Sequence, residues 1–146
     1  MEIKTEIEIN ASAENVWKVL VNFPDYGSWN PVITKINGMP YVGEKISFNI
    51  KAAPGIEVPI PLCEILVASA ASKELRWKGP AIPIASDVLS GEHYFIVQEM
   101  APNKVRFVHG EDFTGLAAGA LKPLLQDRLT DSYNEMNRAF KARCER

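Results

Sequence analysis

Both histidines of the chain, His93 and His109, and one carboxylate, Glu111, are spaced so that they can act together on a ligand. They lie in two consecutive segments of alternating residues, 91–99 and 103–113, which are joined by a short turn. This pattern predicts a β-hairpin, and its two apolar faces stay together only in an even register. In one such register His93 lies opposite His109, and in the other it lies opposite Glu111.

Histidine changes its charge near neutral pH, so this group could orient a polar group of a ligand or supply an acid and a base. The plainer alternative is a satisfied buried polar pair or a contact at a rim. A metal site would need a third ligand and supporting outer groups, so we predict no metal. The sequence has no G-x-S-x-G nucleophile motif and no glycine-rich phosphate loop, and we predict no cofactor.

The composition is typical of one soluble globular domain. The chain has 146 residues, of which 47% are hydrophobic and 23% charged, and its formal net charge is -2. A chain of this length usually forms one domain that can bury a sizeable core, so we predict a single domain over residues 1–146. Basic residues are scattered rather than clustered, which argues against a nucleic-acid partner.

The two cysteines, Cys63 and Cys144, form no CxxC pair and predict neither a zinc site nor a redox site. Cys63 lies in an apolar run and is expected to be a buried thiol, while a disulfide between the two stays open. Residues 1–4 alternate instead of forming the apolar core of a signal peptide. With no run near ~18 apolar residues, we expect a cytoplasmic protein without stable membrane insertion.

The chain opens with a strand over residues 2–10, because apolar and charged residues alternate there. Ser12 predicts a helix N-cap, and apolar residues follow at helical spacing as far as Phe23. Pro24 is expected to end this helix, because proline lacks the backbone donor that a helix interior needs. The residues after Pro24, which include Asp25, Tyr26 and Asn30, predict turns. Asn30 could place a polar group at the mouth of a ligand pocket, and the plainer alternative is that it serves the turn.

Strands dominate the middle of the chain. Pro61 cannot donate to a ladder, so its segment must be an edge or the start of a strand. Residues 80–90 contain Pro80, Pro83 and Ser86 and predict a loop whose length suggests a functional role. The predicted strands before the hairpin are residues 32–38, 44–52, 62–70 and 73–79.

A long C-terminal helix follows Gly115, over residues 118–143. Pro123 is tolerated only in a first turn, so the alternative is a start near Lys122 with Gly119 outside the helix. The apolar stripe of this helix consists of Leu121, Leu125, Leu129, Met136 and Phe140, with Leu124 and Tyr133 beside it.

Strand, helix, several strands and a long helix, in that order, favour an α+β fold with an antiparallel meander. We expect about six or seven strands, with one or two short helices after the first strand. The two helical regions must then cover one face of the sheet, because that face is apolar. The outer positions are charged, so a protein-interaction role for the outer face is a weaker third possibility.

Three segments carry a resemblance to a known family: residues 7–17, 23–31 and 109–116. The most specific of these is Trp29-Asn30-Pro31. Together with the element order, they resemble the START-like helix-grip superfamily. It includes birch-pollen-allergen-like proteins and the polyketide cyclase/dehydrase and lipid-transport families. The resemblance covers nearly the whole chain and implies a curved sheet wrapped around the C-terminal helix, with a ligand cavity between them.

The cavity implied by this resemblance would take its walls from inward-facing side chains. Tyr133 could place its hydroxyl in the cavity or pack in the core, and Gly115 to Gly119 would form a lid or hinge beside it. The predicted ligand-binding residues are Trp29, Asn30, Phe48, Ile50, Trp77, His93, Phe95, Phe107, His109, Phe113, Leu116, Leu125, Tyr133 and Met136, and the candidate catalytic residues are His93, His109 and Glu111.

Two functions follow from these expectations. The favoured one is binding of a small hydrophobic molecule such as a lipid, a polyketide or an aromatic metabolite. The alternative is a cyclase or dehydratase in which a cavity histidine moves a proton. Binding is favoured because only one small ionisable cluster is available. The expected partner is the small molecule alone, and the protein is expected to be a monomer or a homodimer.

Overall fold

The computed structural model describes residues 1–82 and 84–146, and within them the chain forms one curved sheet and a long C-terminal helix. Pro83, which belongs to the predicted loop 80–90, lies outside the described residues. The elements are β1 (Glu2–Ile9), α1 (Ala13–Val21), a 3-10 turn (Phe23–Asp25), α2 (Tyr26–Trp29), β2 (Ile33–Asn37), β3 (Lys45–Ala53), β4 (Ile56–Ser69), β5 (Glu74–Gly79), α3 (Ala85–Val88), β6 (Ser90–Ala101), β7 (Lys104–Thr114) and α4 (Ala118–Cys144).

The sheet contains seven strands in the described part of the chain, in the order β1-β7-β6-β5-β4-β3-β2. Each pair of neighbours is antiparallel, so the strands from β2 to β7 form a meander and β1 closes against β7. This is the helix-grip fold that the sequence predicts. Antiparallel strands that are adjacent in the chain need only short connections, which is why turns suffice between most of them.

The opening strand and its helix form as the sequence predicts. Ile3, Thr5 and Ile9 are buried on one face of β1, and the acidic residues between them face outward. The Ser12 hydroxyl accepts a hydrogen bond from the Asn15 backbone N–H and caps α1. Pro24 does not directly end α1, however. The helix ends at Val21, and Pro24 lies in the first turn of the 3-10 segment, where its missing donor costs little.

Two strands depart from the predicted alternation. β2 pairs with β3 through a bulge between Ile33 and Lys35, so Ile33 and Ile36 are both buried although they are three residues apart. β4 begins at Ile56, before Pro59 and Pro61, and is longer than predicted. The prolines are tolerated because this first half of β4 pairs with β3 alone, and β5 pairs only from Glu64 onward.

The C-terminal helix begins at Ala118, so the alternative start near Lys122 is wrong. Gly119 lies inside α4, and Pro123 lies beyond its first turn. Pro123 is tolerated there because this end of the helix is exposed to solvent on the proline side, where water can satisfy the freed carbonyl. Leu124 is 69% exposed and therefore does not belong to the inward stripe.

Aromatic side chains fill one end of the space between the sheet and α4. The Phe140 ring of α4 packs on Phe107 of β7 at a centroid distance of 4.5 Å and on Trp29 at 5.3 Å. Phe95 lies 5.9 Å from Phe107, and both of these rings are fully buried. This packing closes one end of the fold, and the open space lies toward the N-terminal half of α4.

Candidate ligand-binding site

The curved sheet and α4 enclose a cavity of about 250 Å³. Every strand from β2 to β7 contributes to its wall, and about three turns of α4, from Leu125 to Met136, form the opposite side. Most of the wall is aliphatic or aromatic, with one polar end. The lining residues are Val32, Ile33, Phe48, Ile50, Ile60, Cys63, Trp77, Gly79, Pro80, Leu89, Gly91, His93, His109, Glu111, Phe113, Leu125, Leu129, Ser132, Tyr133 and Met136.

Most residues that the sequence places at the cavity do lie on its wall. The structure brings together Phe48, Ile50, Trp77, His93, His109, Glu111, Phe113, Leu125, Tyr133 and Met136. The wall also contains residues that the sequence analysis did not select, among them Ile60, Cys63 and Leu129. What could have identified these three residues is their position, because each lies on the inward side of its strand or helix.

Five expectations about the wall need correction. Phe95 and Phe107 point inward but lie off the cavity wall, because Phe140 covers Phe107 and Phe95 packs between Phe107 and His109. Trp29 packs against Phe140 and Tyr26.

Asn30 and Leu116 also lie away from the cavity wall. The buried Asn30 Oδ1 accepts hydrogen bonds from the backbone N–H groups of Val32 and Ile33 and so holds the turn into β2. Leu116 is 89% exposed, because Gly115 turns the chain outward just before α4.

The hairpin register places His93 opposite Glu111 and excludes the alternative with His93 opposite His109. The two imidazoles nevertheless meet diagonally across the strands. His93 Nε2 lies 2.7 Å from His109 Nε2, and His93 Nδ1 lies 3.3 Å from Glu111 Oε1. The Tyr133 hydroxyl of α4 donates to the same Glu111 Oε1. His93, His109, Glu111 and Tyr133, together with Asn137, form what we call the polar cluster.

Asn137 and Thr5 orient His109, and sequence reasoning missed both. The Thr5 hydroxyl donates to the His109 carbonyl at 2.8 Å, so its oxygen accepts from Asn137 Nδ2 at 2.8 Å. Asn137 therefore turns its Oδ1 toward His109 Nδ1, at 2.8 Å. A carbonyl oxygen only accepts, so His109 Nδ1 carries a hydrogen. The spacing of Asn137, one helical turn after Tyr133, was the signal that could have found it.

Burial governs the electrostatics of the cluster. His109 is fully buried, and this lowers its pKa well below 6.5. The nearby His93 charge lowers that pKa further, and the Asn137 hydrogen bond opposes the shift. Burial likewise raises the pKa of the Tyr133 hydroxyl well above its ordinary value, with the Glu111 charge acting in the same direction. At neutral pH, His109 is a neutral imidazole and Tyr133 a neutral phenol.

Gly91 makes room for Glu111. It lies two residues before His93 on the same face of β6, and a Cβ at this position would collide with Glu111 Oε2. Any side chain here would push the carboxylate away from His93 and Tyr133. The glycine is therefore required by close packing rather than by an unusual backbone angle.

Cys63 lies on the cavity wall as a buried free thiol, as the sequence predicts, and Cys144 is a buried free thiol elsewhere in the core. Burial raises the pKa of Cys63 to about 12, and the Glu111 charge adds to the shift. A thiol with such a pKa stays protonated at neutral pH and is a poor nucleophile. Cys63 therefore acts as an apolar wall residue.

Within residues 1–82 and 84–146, no group of three His, Cys, Asp or Glu side chains is arranged to hold a metal ion. No helix in these same residues has the length and apolarity to cross a membrane.

Fold and cavity define a START-like helix-grip protein. The sequence profile of the family described as polyketide cyclase/dehydrase and lipid transport matches residues 1–145. The chain belongs to this family. Among curated protein sequences, none shows significant similarity to the chain.

Several solved structures share the fold. The Zhui aromatase/cyclase from Streptomyces sp. R1128 matches with a TM-score of 0.78 and 14% identity, over 100% of this chain and 94% of that one. A START superfamily protein from Mycobacterium smegmatis matches with a TM-score of 0.78 and 15% identity, over 99% and 97%. Norcoclaurine synthase from Thalictrum flavum matches with a TM-score of 0.72 and 12% identity, over 99% and 93%. At such identities the likeness establishes the fold alone.

The lowered pKa of His109 predicts a loss of stability on the acid side of neutrality. Below about pH 6.5 the unfolded chain protonates His109 while the buried ring stays neutral, so the free energy of unfolding falls as the pH falls. Urea unfolding at about pH 7.5, 6.5 and 5.5 measures this slope. We expect a shallower slope in His109→Gln, which cannot titrate. Asp25 and Glu145, whose pKa values are lowered from 3.8 and 4.5, act only at lower pH. Equal slopes in both proteins would contradict the assignment.

Proposed function

We propose that the protein binds a small, largely apolar molecule in the cavity between the sheet and α4, with one polar group of that molecule at the polar cluster. The observation that carries this proposal is the distribution of polarity over the wall. Aromatic and aliphatic side chains such as Trp77, Phe113 and Met136 form most of it, and the ionisable groups meet at one end. Pockets of this kind bury the apolar body of a ligand and use a few polar groups to fix its orientation.

The size of the cavity narrows the class of ligand. Its volume of about 250 Å³ is at or below the lower end of the roughly 300–1,000 Å³ typical of ligand pockets. This favours a compact molecule of one or two rings, an aromatic metabolite or a short polyketide, over a long-chain lipid. The indole of Trp77 and the ring of Phe113 offer flat surfaces to such a molecule.

Family membership and fold support a ligand-binding or cyclase role in general terms. Burial of an apolar ligand surface stabilises the complex by roughly 25 cal/mol per Å² removed from water, and the polar cluster adds direction rather than most of the affinity. A cytoplasmic location and a monomeric or homodimeric state remain predictions from the sequence.

Two neighbouring leucines of α4 provide a matched test of the cavity. Leu125 lines the cavity, whereas Leu124 is exposed. We expect Leu125→Trp to fill the cavity and to weaken binding of the two-ring probe 2-naphthol by at least about tenfold, which corresponds to about 1.4 kcal/mol. Leu124→Trp, the same substitution one residue earlier, should bind like the wild type. Isothermal titration calorimetry measures both affinities, with circular dichroism to check folding. Equal binding by all three proteins would contradict the cavity as the binding site.

A second candidate function is a cyclase- or dehydratase-type enzyme, and one observation favours it. In the polar cluster, hydrogen bonds join Asn137 to His109, His109 to His93, and Tyr133 to Glu111. An ion-pair contact of 3.3 Å between His93 Nδ1 and Glu111 Oε1 connects the two parts. Glu111 Oε2 has no hydrogen-bond partner in the described part of the chain, so it could take a proton from a ligand, which makes the carboxylate a candidate general base. Cyclisations of polyketide-like chains need such a base beside a carbonyl-activated carbon.

Hydrogen–deuterium exchange of 2-tetralone in heavy water tests this enzyme candidate. The ketone activates its neighbouring C–H bonds, so a base in the cavity would speed their exchange above the rate in buffer, as seen by proton NMR. We expect the acceleration to disappear in Glu111→Gln and to persist in Asp112→Asn, which changes the exposed carboxylate next along β7. If the wild type gives no acceleration, the enzyme candidate loses its support and ligand binding alone remains.

A further inference from the structure

The hydrogen-bond donors and acceptors of the polar cluster decide which polar group of a ligand it can bind. This inference rests on the proposed function. His109 Nδ1 carries the hydrogen that Asn137 accepts, and the neutral His109 ring therefore presents a bare Nε2. The short contact between the two Nε2 atoms needs one hydrogen, so His93 supplies it and is the donor.

The other ring nitrogen of His93 faces the carboxylate. His93 Nδ1 lies 3.3 Å from Glu111 Oε1, so a hydrogen on this nitrogen has an acceptor beside it within the cluster. The Tyr133 hydroxyl hydrogen points at Glu111 Oε1 as well.

The hydrogens on His109 Nδ1, His93 Nε2 and the Tyr133 hydroxyl therefore point at acceptors inside the cluster. What remains are acceptors. In the described part of the chain Glu111 Oε2 has no hydrogen-bond partner, and the Tyr133 oxygen keeps a free lone pair. Ser132 also lines the cavity, but its hydroxyl both donates and accepts and so does not discriminate between ligands.

We propose that the polar cluster accepts hydrogen bonds from a ligand and does not donate them, so that the ligand is an apolar ring compound with a neutral hydroxyl, received by Glu111 Oε2. An ether or ketone oxygen would find no donor in the cluster and would lose its hydrogen bonds to water. A carboxylate ligand would in addition face the acceptor oxygens of Glu111 and Tyr133. Glu111 is thus the specificity-determining residue.

Four naphthalenes of one ring system test the preference: 2-naphthol, 2-methoxynaphthalene, 2-naphthoate and the non-polar 2-methylnaphthalene. Calorimetric titration gives the dissociation constant of each. We expect 2-naphthol to bind about tenfold tighter than 2-methoxynaphthalene, as a hydrogen bond to a charged acceptor predicts. We expect no measurable binding of 2-naphthoate.

Glu111→Gln should remove or reverse the preference for 2-naphthol over 2-methoxynaphthalene, because its amide replaces one acceptor by a donor of the same shape. The ratio of the 2-methoxynaphthalene and 2-naphthol dissociation constants should fall to about one or below in this variant. It should keep its wild-type value in Asp112→Asn, on the outer face of the same strand.

The outcomes separate the two proposals. Binding of 2-methylnaphthalene and 2-naphthol without the expected ratio, or tight binding of 2-naphthoate, overturns the acceptor-only site and leaves the cavity as a binding site. If none of the four binds, the proposed function itself fails, and the acceptor-only site fails with it. If Glu111→Gln does not fold, the ratio of the 2-methoxynaphthalene and 2-naphthol dissociation constants in the wild type tests the acceptor-only site by itself.

Discussion

The hydrogen bond between the Nε2 atoms of His93 and His109 is the interaction on which the polar end of the cavity depends. It joins the fully buried His109 to His93, and both rings lie on the cavity wall. His109 is held from behind by Asn137 and Thr5, so its ring cannot turn, and its bare nitrogen in turn fixes the position of His93. Glu111 then lies between His93 and Tyr133. Glu111 is the only carboxylate on the described part of the cavity wall. Its orientation depends, through both histidines and Asn137, on Thr5 of β1.

A second constraint separates the cavity from the core. Both are formed by the same inward face of the sheet, and what distinguishes them is which part of α4 lies opposite. Phe140 packs on Phe107 and Trp29 and fills the space there. Further toward its N-terminus, α4 presents Leu125, Leu129 and Met136, which do not fill the space against the curved sheet. The result is a closely packed aromatic end and an open end within one continuous layer.

Much of the fold could be predicted from the sequence, because the strands alternate and the long helix has a clear apolar stripe. The hairpin pattern also limited His93 to two registers. The choice between them depended on contacts across the sheet that a single strand does not encode. The β2 bulge and the long β4 were missed for the same reason, since the partner strand decides whether a bulge or a proline is tolerated.

The candidate site was predicted in part. Alternation identifies Phe95 and Phe107 as inward residues, but it cannot tell a core position from a cavity position, because that depends on α4. Asn137 was missed because an asparagine on a helix usually faces water. Only its position, one turn after Tyr133, showed that it belongs to the inward face. Thr5 could be placed on the buried face but not assigned to the cluster, since its partner lies 132 residues away.

Nitrogen-15 NMR of the two histidines tests the central claim most directly, because the chain has only four imidazole nitrogens. If one hydrogen joins His93 and His109, their Nε2 atoms share a scalar coupling across the hydrogen bond, and His109 shows a protonated Nδ1 with a bare Nε2. Two Nε2 signals without this coupling, with His109 protonated on Nε2, would contradict the hydrogen-bond chain on which the account of the site rests.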